Sequence, residues 1–235
     1  MPLGLARPPM WQWYRRRWVD LVASIYIYNE HRGYTALDRV LHAVQKRYAD
    51  DKAFVAEIEQ HRADEYKHYL MFRRWWERRG VMPYAIDRTC GHIDRFVEIM
   101  FRSRIDDLDE EDLIGDDRNF EKMCRVISLT ERRGYRQLEI LLRHPFVRSD
   151  RSLIKIFSII KVDEPRHWSP YEGWLKRREM REPVWWERAI DTFIHSELLV
   201  LKLPILFVTP GLNRRTHWAD EHDKAPAPQL AAARA

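Results

Sequence analysis

The chain has 235 residues, enough for one good-sized core or two small ones. Charged residues make up 33% and hydrophobic residues 45%, a globular, helix-leaning balance that excludes a disordered chain. The net charge of +5 comes from 41 basic residues interspersed with 36 acidic ones, and no recognition motif accompanies them, so no nucleic-acid groove is expected.

Residues 1–17, "MPLGLARPPMWQWYRRR", are rich in Pro, Trp and Arg and read as an irregular arm. From Trp18 to about Tyr48 apolar residues recur at helical spacing. Ala49-Asp50-Asp51 is a turn and helix-start signal, and a second long helix follows to about Arg79, stopped by Gly80 and Pro83. Residues 80–117 form a long connection with a short helical piece, "HIDRFVEIMFRS", and an acidic loop. A third helix is expected from about Arg118 to Arg143, a fourth from Arg151 to about Arg178, and a fifth, apolar, over roughly 184–203. Strand signals are nearly absent. The order of elements predicts an all-α fold: a four-helix bundle over 18–180 with one long crossover, an extra C-terminal helix over 181–212, and a disordered tail over 213–235.

Cys90 and Cys124 lie far apart and make no Cys-x-x-Cys pair. That excludes a disulfide framework and a cysteine-ligated iron–sulfur or rubredoxin-type centre, and suggests a reducing compartment. No apolar run is long enough for a signal peptide or a membrane span. Trp mixed with Arg in "WQWYRRRW", "FRRWWERR" and "PVWWERA", together with "LLVLKLPILFV", has the composition of segments that lie on an anionic membrane. A cytoplasmic location is expected, with peripheral contact on the inner face of a membrane.

An internal repeat carries the functional signal. "NEHRGYTALDRVL" and "TERRGYRQLEILL" share Glu-x-Arg-Gly-Tyr, placing Glu30 with Tyr34 and Glu131 with Tyr135. "DEYKHY" and "DEPRHW" share Asp-Glu-x-basic-His-aromatic, placing Asp64, Glu65 and His68 against Asp163, Glu164 and His167. Positions i and i+3 share a helix face, so Glu65 and His68 can meet one ion, as can Glu164 and His167. A hairpin brings the single Glu of the preceding helix to the same level. Two halves face to face present four carboxylates and two imidazoles. Four carboxylates balance two divalent ions; without them, mutual repulsion and desolvation would cost several kcal/mol. The competing account is a duplicated bundle that keeps the pattern as a polar network.

In these motifs, over roughly residues 18–180, the chain resembles the ferritin-like di-iron carboxylate superfamily. The resemblance implies six metal ligands, Glu30, Glu65, His68, Glu131, Glu164 and His167, holding two Fe ions, with Mn or mixed Fe/Mn as alternatives. The Asp before each second-helix Glu resembles the oxygenase and desaturase branch. There Asp64 would orient His167, and Asp163 would orient His68. Tyr34 and Tyr135, at i+4 from their ligands, are placed beside the carboxylates or in the core. Gly33 and Gly134 suggest close helix approach or space beside the metals. Arg32 and Arg133 are expected to point away from the ligand face into salt bridges or solvent. His61 shares the Glu65 face but faces Ile160 in the repeat, and reads as a core or pocket-edge histidine. Pro165, inside the second Glu-x-x-His, predicts a kink or bulge.

The activity this implies is O2-activating oxidation of an apolar small molecule or lipid-like substrate: a hydroxylase, desaturase or related oxygenase. Electrons would come from an external reductase or ferredoxin docking on the basic surface; a homodimer is compatible. The alternative is a ferroxidase or peroxide-detoxifying iron-handling protein.

Overall fold

A computed structural model describes residues 10–86 and 90–222, and every regular element among them is helical. Four long helices dominate: α1 (Met10–Arg47), α2 (Lys52–Arg78), α5 (Asp117–Arg143) and α7 (Arg151–Arg177). Between α2 and α5 run α3 (His92–Phe101) and α4 (Glu110–Gly115); α6 (Pro145–Arg148) is a single turn between α5 and α7. After α7 come α8 (Trp185–Ser196), a π-helical turn at Glu197–Lys202, and α9 (Leu203–Val208). α1 packs along α2, α5 along α7, and the two pairs meet mainly through α2 and α7.

Three of the long helices begin at the acids that the sequence offers. The Asp51 side chain accepts from Phe54 N, Asp116 from Arg118 N, and Asp150 from Ser152 N and Leu153 N. Each occupies backbone donors that a helix start leaves without a partner. Gly80 follows α2 at φ +64°, a left-handed conformation that glycine adopts without strain.

Along the helix axes the interior falls into two apolar clusters. One gathers Ile27, Tyr69, Phe72, Trp76, Phe157 and Ile160. The other gathers Val44, Phe54, Ile58, Phe120, Tyr171 and Trp174. On each long helix the switch from one cluster to the other falls around a motif glutamate. Glu30 lies between Ile27 and Leu37, Glu65 between Ile58 and Tyr69, Glu131 between Ile127 and Leu138, and Glu164 between Ile160 and Tyr171. Fully buried aliphatic and aromatic side chains such as these are worth about 1.5–3 kcal/mol each, so the fold is held from both sides of a polar layer.

Two expectations are corrected. Residues 10–17 are not irregular: α1 starts at Met10, and Arg17 anchors it by donating to Leu206 O (2.8 Å) and Thr209 O (2.6 Å). The start of the tail is not disordered. Ala85 N donates to Asn213 O, Arg215 N donates to Pro83 O, and Asp220 accepts from Tyr69 Oη (2.7 Å) and Arg73; residues 1–9 and 223–235 lie outside the described residues. α7 runs on as helix through both Pro165 and Pro170.

No helix among the described residues is long and apolar enough to cross a membrane. Large apolar side chains nonetheless stand exposed on two segments: Trp11 and Trp13 at the start of α1, and Val200, Leu201, Ile205 and Val208 of the α8–α9 segment, with Trp13 in ring contact with Phe207.

Candidate metal centre

The polar layer is built from one face of each long helix. Glu30, Glu65, His68, Glu164 and His167 are all buried, and Glu131 is only partly exposed. His68 Nδ1 lies 3.4 Å from Glu30 Oε2 and 3.8 Å from Glu65 Oε1. His167 Nδ1 lies 3.2 Å from Glu65 Oε1, 3.7 Å from Glu131 Oε2 and 3.9 Å from Glu164 Oε2. Two donors about 2.1 Å from one ion sit about 3.0 Å apart at right angles and about 4.2 Å apart when opposed. All five separations fall in that range. Glu65 belongs to two groupings whose donor atoms lie within 4.8 Å of one another: Glu30–Glu65–His68, and His61–Glu65–Glu131–His167. It is therefore the carboxylate placed between two positions. The Glu164 carboxylate stands slightly apart, with Oε2 buried and without a hydrogen-bond partner.

The histidines are oriented from outside. His68 Nε2 is hydrogen-bonded to Asp163 Oδ2 at 2.9 Å, which puts a proton on Nε2 and turns Nδ1 toward the carboxylates. His167 has the same orientation toward Asp64, at a longer 3.6 Å. The basic residue of each motif closes this outer layer. Lys67 bridges Asp64 (2.6 Å) and Asp163 (2.7 Å), and Arg166 also pairs with both. The "basic" position in Asp-Glu-x-basic-His thus holds the two orienting aspartates together.

Electrostatics follow from this crowding. Burial raises the Glu30 carboxyl to about 7, reinforced by the Glu65 charge and opposed by His68. Burial and Glu131 push Glu164 well above the usual carboxylate range. Burial also works against ionised Glu65, but hydrogen bonds and charge from His167 and His68 outweigh it and hold the group low. Desolvation likewise disfavours charged His68 and His167, yet Asp163 and Glu30 for the first, and Asp64 and Glu131 for the second, hold both well above the ordinary imidazole value. The cluster therefore gathers protons on its own, as a site short of positive charge does.

Two residues that sequence reasoning left outside the site enter it. His61 is 1% exposed, and its Nε2 lies 3.8 Å from Glu131 and 3.9 Å from Glu65. Burial and His167 lower it to about 4, so the ring is neutral near pH 7. Its position on the Glu65 face was visible; the missing counterpart in the repeat hid its role. Tyr26, one turn before Glu30, has a buried hydroxyl without a hydrogen-bond partner among the described residues, and burial followed by Glu30 and Glu164 raises its pKa strongly. No sequence signal separates it from the core tyrosines around it. Tyr34 makes ring contacts with His31, Tyr66 and Tyr69, and Tyr135 with Trp168.

The repeated arginines neither reach the cluster nor stand in solvent. Arg32 pairs with Asp94 of α3 at 2.8 Å, and Arg133 with Asp191 of α8 at 2.9 Å. Each Glu-x-Arg-Gly-Tyr motif thereby ties one flanking helix to its own half. The glycines make room. A Cβ at Gly33 would overlap Glu65 Oε2, whereas one at Gly134 would meet Glu164 Oε1 at 3.4 Å.

Two small cavities adjoin the layer. One, of about 90 Å³, reaches Glu30, Glu65, Glu131 and Glu164 and has a mixed wall, with Ile25, Ile93 and Leu198 beside Asn29, Thr130 and Arg133. The other, of about 40 Å³, touches His61 and Glu131 among Leu37, Val40, Met123 and Ile127. Both open larger clefts elsewhere on the surface lack any of these carboxylates. Comparison with known proteins finds no matching family model, curated protein or solved structure.

Proposed function

We propose that this chain is a ferritin-like di-iron oxidoreductase that uses dioxygen to oxidise an apolar small molecule or lipid-like substrate. The observation that carries the reading is the orientation of the two motif histidines. His68 and His167 each turn a buried, unpartnered Nδ1 toward carboxylates, with an aspartate behind. A polar network that satisfied itself would not leave these ring nitrogens, and Glu164 Oε2, buried without hydrogen-bond partners. A pair of divalent ions satisfies all of them and balances the four carboxylates.

Glu30, Glu65 and His68 would hold one ion, and Glu65, Glu131 and His167 the other, with Glu164 beside them. A ferrous pair there supplies electrons to dioxygen and the oxidising power to attack an unactivated C–H bond. This chain's residues do the rest. Asp163 holds the His68 ring by a hydrogen bond, Asp64 stands behind His167, and Lys67 and Arg166 keep those aspartates ionised and in place. Hydroxylation of such a substrate consumes two external electrons and two protons per dioxygen, with water as the second product, so a separate reductase or ferredoxin is required. The exposed apolar region of α1 and α8–α9, with Arg15 and Arg16 adjoining it, is the surface we assign to an anionic lipid bilayer.

Iron-loaded protein should hold close to two ions per chain. Glu131→Ala should lose metal, while Glu139→Ala, which breaks only the Lys161 pair, should not. Reduced protein exposed to oxygen with a medium-chain fatty acid should give an oxidised product. Many irons oxidised per chain, with mineral formation, would instead establish a ferroxidase; a folded protein that takes up no metal would refute the reading.

A further inference from the structure

His61 lies on α2 one turn before Glu65, at a position the second half fills with Ile160 of the apolar cluster. Three features set it apart from a histidine buried for packing. Its two nitrogens have different surroundings: Nδ1 is 3.0 Å from the Tyr171 hydroxyl, and Nε2 has no hydrogen-bond partner among the described residues. This repeats the division at His68, where one nitrogen is held and the other is free, with the two nitrogens exchanging roles. Next, the free Nε2 stands 3.8 Å from Glu131 Oε1 and 3.9 Å from Glu65 Oε1, too far for hydrogen bonds and inside the spacing of two donors on one ion. Last, the ring stacks on His167 with centroids 4.2 Å apart, and the donor atoms of both histidines and both glutamates lie within 4.8 Å of one another.

We propose that His61 is a seventh metal ligand, bound through Nε2, which completes a His61–Glu65–Glu131–His167 set around one of the two ions. The inference rests on the metal-site reading above and adds to it an asymmetry that the sequence repeat does not contain. One position has two imidazoles and two carboxylates; the other has Glu30, Glu65 and His68. Imidazole-rich sets favour the later first-row metals over Mn and Mg, so the two positions differ in affinity and fill in order. Tyr171, fully buried, serves as a positioning residue: its hydroxyl lies 3.0 Å from His61 Nδ1, and accepting an Nδ1–H there would leave the Nε2 lone pair for the ion.

The test is a Co²⁺ titration of the metal-free full-length chain, followed by calorimetry and visible absorption. Wild type should show two events, the first tighter. His61→Ile, which copies the residue of the other half, should weaken the first event by at least about tenfold, shift the cobalt absorption as a nitrogen donor is lost, and leave the second event in place. Tyr171→Phe keeps the imidazole and should weaken the same event by about 10–100-fold. His61→Gln, with folding checked by circular dichroism, carries the test should the isoleucine variant not fold. Wild-type affinities and spectra in the folded His61 variants would overturn the seventh ligand while leaving the two-ion site standing. Absence of metal binding by wild type would overturn both.

Discussion

Substituting the two repeat glycines separates the site from the scaffold. Both sit inside long helices, where Ala is favoured over Gly by about 1 kcal/mol, so on backbone grounds either change should stabilise the fold. Their surroundings differ. At position 33 the new methyl would overlap Glu65 Oε2 and bring the carboxyl carbon to 3.3 Å. Restoring an ordinary carbon–oxygen contact requires the carboxylate to swing by about 1 Å, within a rotamer cost of about 0.5–1.5 kcal/mol. The helix gain and the rotamer cost nearly cancel, so Gly33→Ala should fold and melt within a few degrees of wild type. The metal site does not tolerate that swing, because ligand distances hold to about 0.2 Å and Glu65 is shared by both donor groupings. Metal affinity should therefore fall at both positions, by tenfold or more. At position 134 the nearest atom is Glu164 Oε1 at 3.4 Å, an ordinary contact. Gly134→Ala should keep both ions and raise the melting temperature slightly. The assay is Co²⁺ or Fe²⁺ titration of both metal-free variants alongside thermal unfolding. Equal metal binding by Gly33→Ala and wild type would refute the placement of Glu65 between two ions.

The stability of the metal-free protein should depend on pH in a way that metal removes. Glu30 (about 7) and Glu164 have folded-state pKa values raised above their ordinary ones, as have His68 and His167. Groups raised in this way contribute stability that is present in acid and lost as pH climbs through the folded-state values. Depressed Glu65, Asp64 and Asp163 contribute in the opposite sense, losing their stabilisation as pH falls below about 4. The metal-free melting temperature should fall from about pH 5 to pH 8, and the Mn²⁺-loaded protein should not follow it; parallel curves would contradict the assignment. Asp163→Asn should lower affinity at the His68 ion by about 10–100-fold, read by the same titration. Leu201→Glu combined with Val200→Glu, both at exposed positions, should abolish cosedimentation with vesicles containing phosphatidylglycerol without changing metal content; unchanged cosedimentation would remove the lipid surface.

The elements whose physics is local were legible from residues alone. Asp51, Asp116 and Asp150 announce helix starts because a short acceptor there satisfies free backbone donors, and all three do so. The motif glutamates were legible as a layer because buried acids at matched depth in a helical repeat have few other uses. What stayed hidden depends on partners distant in sequence. The Trp/Arg segment before residue 18 looks irregular by composition, yet Arg17 reaches carbonyls near residue 206 and the helix extends back to Met10. Residues 213–222 have no periodicity to detect; backbone pairing beside Pro83 and Ala85, and the Asp220 contacts to α2, hold them. Pro165 does not stop α7 because the packed scaffold outweighs a local preference against helix.

The repeat proves to be a scheme for anchoring as much as for ligation. Arg32 reaches Asp94 on the crossover helix and Arg133 reaches Asp191 on the C-terminal helix, so α3 and α8 play matching parts although one lies within the chain's longest connection and the other follows the last long helix. Lys67 and Arg166 likewise share Asp64 and Asp163. Where the halves diverge, the divergence falls at the carboxylate layer: Tyr26 against Ile127, His61 against Ile160, a 2.9 Å Asp163–His68 bond against a 3.6 Å Asp64–His167 approach. A duplicated scaffold needs its halves to stay alike to keep the helices in register. A pair of ions with separate tasks would need them to differ, and these differences lie beside the proposed ligands while the outer helix-to-helix pairs are preserved.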